Sequence, residues 1–186
     1  AVPGLAGDCE TTRTMLAPVL APGDTGEIEL GPLTERDGQH AVHTFAWCLQ
    51  QLGDPAGADA VLEQVESAFR DHQARTVAVD SEFTFFAARN AALGNELDLA
   101  VERLEAAVDA GWLALNWHAH EPFWANLRSD PRAAPLLARV KEDVAAERTT
   151  AEAMDARWDP IEWHRQTLVM PSSEQGSQVA RPTKHR

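Results

Sequence analysis

Apolar residues return every three or four positions along most of the chain, in segments cut by Gly, Pro and Asp. Val42, Phe45, Ala46, Leu49 and Leu52 share one helical face, and Gly53-Asp54-Pro55 ends that helix. Val61, Leu62, Val65, Ala68 and Phe69 form a second stripe that fades after His72. The short apolar piece Val77-Ala78-Val79 leads to Asp80-Ser81, where Asp80 predicts an N-cap and Glu82 suits the positive end of the helix dipole. Phe83, Phe86, Asn90 and Leu93 follow at helical spacing, and Gly94-Asn95 closes that helix. Leu97, Ala100, Val101, Leu104 and Val108 make the clearest amphipathic helix, running to Ala110-Gly111. Pro122 opens a short helix over 123–128. Asp130 then caps another, with Pro131 in its first turn and Leu136, Leu137, Val140 and Val144 facing inward.

The flanks are patterned differently. Residues 1–37 are rich in Pro, Gly and Thr and read as an irregular arm packed on the body. Pro18 within 16–20 and Pro22 just after it predict that no long helix runs there, while Ile28 and Leu30 alternate around Glu29 as a short strand or extended arm. Residues 38–146 form the helical domain. Residues 147–170 extend its last helix or form a further helix or docking segment, broken at Asp159-Pro160. The tail, 171–186, contains Ser-Ser-Glu-Gln-Gly-Ser-Gln and reads as disordered. About five to seven helices, short connections and hardly any strand signal make the class all-α.

Composition narrows the function. The 186 residues are 44% hydrophobic and carry a formal charge of −13. This balance argues against nucleic acid, whose binding draws on basic patches. The last sixteen residues hold Arg181, Lys184, Arg186 and one acid, Glu174, so the body is more acidic than the whole. No apolar run approaches the roughly 20 residues that span a bilayer. The two cysteines, Cys9 and Cys48, allow at most one intramolecular disulfide, and Cys48, within a helical stripe, reads as a small core residue rather than a bridge partner. Leu5-Ala6-Gly7-Asp8-Cys9 is interrupted by Asp8 as a lipoprotein cleavage site. An Ala-Val-Pro start without Met suits a mature N-terminus, which favours an extracytoplasmic location over the cytoplasmic alternative.

Two helix pairs follow one another, and the break Leu52-Gly53-Asp54 returns as Leu93-Gly94-Asn95, roughly forty residues on. The second pair resembles a tetratricopeptide repeat. Phe83 and Phe86 stand at large positions of its first helix, Gly94 at its turn, and Ala100, Leu104 and Ala107 at the small–large–small positions of its second. The turn is one residue longer, Asn90 replaces an aromatic, and Trp112 stands where proline is usual. In the first pair Val61, Val65 and Ala68 take the second-helix slots. The stretch Asp109-Ala110-Gly111-Trp112, then Glu121-Pro122-Phe123-Trp124-Ala125-Asn126-Leu127-Arg128-Ser129-Asp130-Pro131-Arg132, then Leu136-Leu137, is similar to the closing unit of bacterial tetratricopeptide arrays. Those arrays sit C-terminal to adenylate-cyclase, kinase or winged-helix regulatory domains; Ala133 replaces their usual aromatic. The resemblance covers residues 38–145. It implies a short α-solenoid of antiparallel helix hairpins that binds peptides or partner domains on a concave face.

Candidate chemistry is sparse. His118, His120 and Glu121 are the best local cluster for a metal, since an extended backbone would project both imidazoles to one side and a helix would not. Structural or solvent-facing roles are the preferred reading, with no metal or cofactor assigned. Six tryptophans are many for this length: Trp112, Trp117 and Trp124 crowd one junction, Trp158 and Trp163 another. Such rings seal the end of a helical stack or anchor a partner, and these five are the partner-binding candidates. The acidic pairs Asp8/Glu10 and Glu27/Glu29 lie in polar sequence and read as solvated, and Arg128, Asp130 and Arg132 as local turn chemistry. No nucleophile elbow, phosphate loop or dinucleotide fingerprint is present. The expectation is a non-catalytic helical module for a basic or amphipathic protein or peptide, as a scaffold or assembly subunit. The alternative is a ligand-sensing regulatory domain of a larger bacterial signalling protein.

Overall fold

A computed structural model describes residues 8–20, 36–76 and 80–156. Among these residues it contains helices and turns but no strand: α1 (Cys9–Leu20), α2 (Arg36–Gln51), α3 (Pro55–Arg75), α4 (Ser81–Leu93), α5 (Leu97–Asp109), α6 (Leu115–His118), a 3-10 turn (Pro122–Trp124), α7 (Ala125–Ser129) and α8 (Ala133–Asp155). The all-α expectation therefore holds. The strand expected near Ile28 and Leu30, the link at 77–79 and the tail at 171–186 lie outside the described residues.

The N-terminal segment departs from its expected irregularity, because 9–20 is a helix. Asp8, expected to be solvated, caps it: the Thr11 backbone N–H donates to its carboxylate at 3.0 Å. Pro18 is tolerated because it falls in the last turn, where one lost amide bond interrupts little that follows. The reading of Cys48 as unbridged is also corrected, since Cys9 and Cys48 form a disulfide, with Cα atoms 4.9 Å apart. The bridge fastens α1 to α2. Closing a loop of 39 residues' separation restricts the unfolded chain by about 4 kcal/mol in the entropic account.

Helices α2 and α3 pack as one pair and α4 and α5 as another. Asp54 ends the first connection by capping α3, accepting from the Gly57 N–H at 2.9 Å, and Asp80 caps α4 by accepting from the Phe83 N–H at 3.0 Å. Three helices end in one hydrogen-bond pattern. Gly53 donates to Gln50 and Asp54 to Leu49; Asn95 donates to Ala92 and Glu96 to Ala91; Gly111 donates to Val108 and Trp112 to Ala107. In each the pivot has positive φ, at 81° for Gly53, 61° for Asn95 and 87° for Gly111. Gly53 is thus matched by Asn95, not by Gly94, whose φ is −72°.

Two apolar clusters form the core. One gathers Val42, Phe45, Val61, Val65, Phe69 and Phe86, with Leu20 from α1. The other gathers Phe85, Leu104, Trp112, Trp124, Leu127 and Val140. Helix α4 supplies both, and every residue from 84 to 93 is buried. Even its last carbonyls are capped from other elements: Gln50 Nε2 donates to Leu93 O at 2.9 Å and Asn126 Nδ2 to Ala92 O at 2.7 Å. Of the α8 stripe expected to face inward, Leu137 and Val140 are buried and Leu136 and Val144 partly so, and Ala133 is buried with them. Its start is set by Asp130, which accepts from Arg132 N–H at 2.9 Å, while Arg132 reaches Asp98 at 2.6 Å.

The chain divides into two units, Ala1–Val144 and Ala145–Arg186. In the second, the described part continues α8 to Asp155 with exposed side chains. Among the described residues no helix is long and apolar enough to cross a membrane.

Candidate functional site

Arg89 stands at the centre of α4 in a run that is otherwise apolar but for Asn90, and its side chain is 0% exposed. A buried guanidinium needs both a counter-charge and a polarisable wall. The wall is aromatic: its central carbon lies 4.9 Å from the Phe86 ring centroid, 5.1 Å from Phe123 and 5.9 Å from Phe85. The counter-charge is Glu121, in the segment between α6 and the 3-10 turn, with Oε2 at 3.2 Å from Arg89 Nη1.

Glu121 gathers two histidines as well. Its Oε1 is 3.0 Å from His118 Nδ1 and 3.1 Å from His40 Nδ1 on α2. His118 Nε2 meets Glu82 Oε1 of α4 at 3.2 Å. With a carboxylate facing each ring nitrogen, the imidazolium form satisfies both. Burial acts to lower the His118 pKa, but the hydrogen bonds to Glu121 and Glu82 outweigh it and the net direction is upward. Burial likewise acts to raise Glu121, and is overcome by His118, His40 and the Arg89 charge, which hold it at about 2. Arg89 is drawn down to about 10 by burial, with Glu121 and Glu82 opposing.

His43 occupies the opposite electrostatic position. It is fully buried on α2, and neither ring nitrogen makes a hydrogen bond of sound geometry. Burial first, and then the Arg89 charge, push its pKa well below the usual histidine value. The surroundings thus bias His43 toward the neutral form and His118 toward the charged form. The cluster clamps 118–121 onto α2 and α4, favours a proton on His118 and keeps Glu121 ionised.

The sequence-derived site residues are distributed around this clamp. Trp112 and Trp124 are buried in the core, at 1% and 0% exposure, and present no open surface. Trp112 stacks on Phe85 with centroids 3.9 Å apart, and Trp124 Nε1 donates to His118 O at 2.9 Å. The side chain of Trp117, and all of Trp158 and Trp163, lie outside the described residues. His118 ends α6 and Ala119 is helical, so the extended backbone that would bring His118 and His120 to one side is not adopted; His120 is exposed. Among the described residues no group of three His, Cys, Asp or Glu side chains is arranged to hold a metal ion. Arg128 donates to Ala119 O at 2.6 Å and Glu121 O at 3.0 Å, so it shapes the segment that carries Glu121.

Sequence reasoning did not single out Arg89, His40, His43 or Glu82 as a group. Its one available signal was Arg89 itself, a full charge set in Phe85-Phe86-Ala87-Ala88-Arg89-Asn90-Ala91-Ala92. No protein-family model, no curated protein and no solved structure matches the chain.

Proposed function

We propose that this chain is a non-catalytic, tetratricopeptide-like helical module that binds a basic or amphipathic protein or peptide. The observation that carries the reading is the pair of packed helix pairs, α2–α3 and α4–α5, whose internal turns share one hydrogen-bond pattern and one left-handed pivot. The charge of −13 supplies long-range steering toward a basic partner. Because α4 is covered from 84 to 93, the docking face in this reading is the acidic outer side of α3 and α5. The Glu66–Arg103 pair, with Nη1 to Oε2 at 2.8 Å, ties those helices together, and Glu63, Glu102 and Glu105 on the same two helices are exposed. The Cys9–Cys48 disulfide supports an oxidising, extracytoplasmic setting.

The test is anisotropy titration of labelled basic amphipathic peptides at low and physiological salt. It compares the parent chain with a Glu63→Lys, Glu102→Lys, Glu105→Lys variant of unchanged circular dichroism. Saturable, salt-weakened binding that the variant loses supports the reading. No saturable binding, or binding indifferent to charge reversal, overturns it.

A second reading, a ligand-sensing regulatory domain, draws on the buried polar atoms left without hydrogen bonds in the clamp, Arg89 Nε and Nη2 and both nitrogens of His43. It predicts a change in tryptophan emission on ligand addition, since Trp112 stacks within 6.2 Å of His118. A metabolite screen without any emission or thermal shift counts against it.

A further inference from the structure

We propose that the Cys9–Cys48 disulfide is a redox-opened fastening, whose reduction by a dithiol releases α1 from α2 while the helical body stays folded. The two cysteines differ in exposure. Cys9 is half-buried in the first turn of α1, whereas Cys48 is 1% exposed. A thiolate therefore attacks Cys9 Sγ, forming a mixed disulfide as the Cys9–Cys48 bond breaks, and Cys48 leaves as a thiolate that takes up a proton. The reductant's second thiolate then attacks its own sulfur in the mixed disulfide and expels Cys9. The reductant ends as a disulfide, and the protein gains two electrons and two protons.

Apart from the bridge, α1 is held by its packing on α2, and it is a weak helix on its own. It is 12 residues long, below the length at which isolated helices persist in water, with Thr11, Thr12 and Thr14 in its first half and Pro18 in its last turn. Of its described apolar side chains Leu20 is buried, Leu16 and Ala17 are partly so, and Met15 is 68% exposed. It packs chiefly on α2. The body does not depend on it in the same way. The second cluster contains no α1 residue, and the first retains the side chains of α2, α3 and α4. Release uncovers the side of α2 that carries Cys48, with Thr44 and Ala41 one and two turns away on that face.

The test uses the full chain at neutral pH, with and without dithiothreitol, followed by hydrogen exchange, and a Cys9→Ser variant treated with N-ethylmaleimide. The expected result is that amides of 9–20 lose roughly tenfold or more of their protection on reduction while those of α4 and α5 keep theirs. In the variant, Cys48 should be alkylated within about tenfold of its rate in urea. Three results overturn the proposal: a disulfide that dithiothreitol does not reduce in the folded protein, an α1 that stays protected with Cys48 unreactive, or joint loss of protection in α1, α4 and α5. Where variant and reduced parent differ, the reduced parent decides.

Discussion

Arg89 of α4 and Glu121 of the 118–121 segment meet at 3.2 Å inside the protein, with side chains 0% and 13% exposed. Removing Glu121 alone leaves the buried Arg89 without its direct counter-charge, whereas Glu121 keeps His118 and His40 if Arg89 is removed. Glu121→Gln is expected to destabilise by about 3–5 kcal/mol in urea titrations, and Arg89→Met with Glu121→Gln by less than Glu121→Gln alone. A double variant as destabilised as the sum of the single changes would show that the pair does not act as a unit.

Stability should peak near the ordinary histidine pKa. His118 has a raised pKa when folded, so its contribution is complete below 6.5 and is lost as pH rises through the folded value. His43 is depressed, so its contribution is complete above 6.5 and is lost as pH falls from 6.5 towards the folded value. Glu121 adds a further loss on acidification, between 4.5 and about 2. Chemical unfolding from pH 4 to 9 should therefore give a dome. His118→Gln should flatten its alkaline limb and His43→Leu its acidic limb above pH 4.5.

The left-handed pivots make opposite predictions for similar surface changes. Gly111→Ala forces a Cβ into φ of 87°, with no neighbouring atom within 4 Å of that Cβ, so the cost is conformational and about 1–2 kcal/mol. Asn95→Gly relieves the same conformation and should be neutral or stabilising by a few tenths of a kcal/mol. Thermal melts of the two variants check the contrast.

Trp124→Phe removes the indole donor to His118 O, leaving a buried carbonyl without that partner and a smaller ring beside Phe85. A loss of about 2–3 kcal/mol is expected. Denaturation that matches the parent would mean that the Glu121 N–H, which also donates to this carbonyl at 3.2 Å, satisfies it alone.

The helix pairs and most of their buried faces were legible because each is written locally, in residues three and four apart. Val61, Leu62, Val65 and Phe69 are buried as their spacing predicts, and Asp80 caps α4 as its position predicts. What escaped was non-local. A stripe through Phe83, Phe86, Asn90 and Leu93 implies one buried face, yet Phe85, Ala88, Ala91 and Ala92 are buried too, because α5, Trp112 and the 115–129 segment cover the other side. Asn90, odd for a core position, donates to Leu62 O at 3.2 Å, a bond that no spacing rule foretells. The disulfide pairs a residue in a segment read as irregular with one in a helical stripe. The clamp draws His40, Glu82, Arg89 and Glu121 from three separate stretches, and one proton on His118 is stabilised only once they converge.

Helix α4 is a party wall. Phe86, Ala87 and Leu93 belong to one cluster and Phe85, Ala88, Ala91 and Ala92 to the other, so neither room stands once the wall is taken out. The residues of Ala1–Val144 that pack on it should accordingly unfold in one transition, with the slowest amide exchange along α4 itself. Fragments that divide the chain between α3 and α5 each inherit a half-built interior, and should regain structure only when mixed.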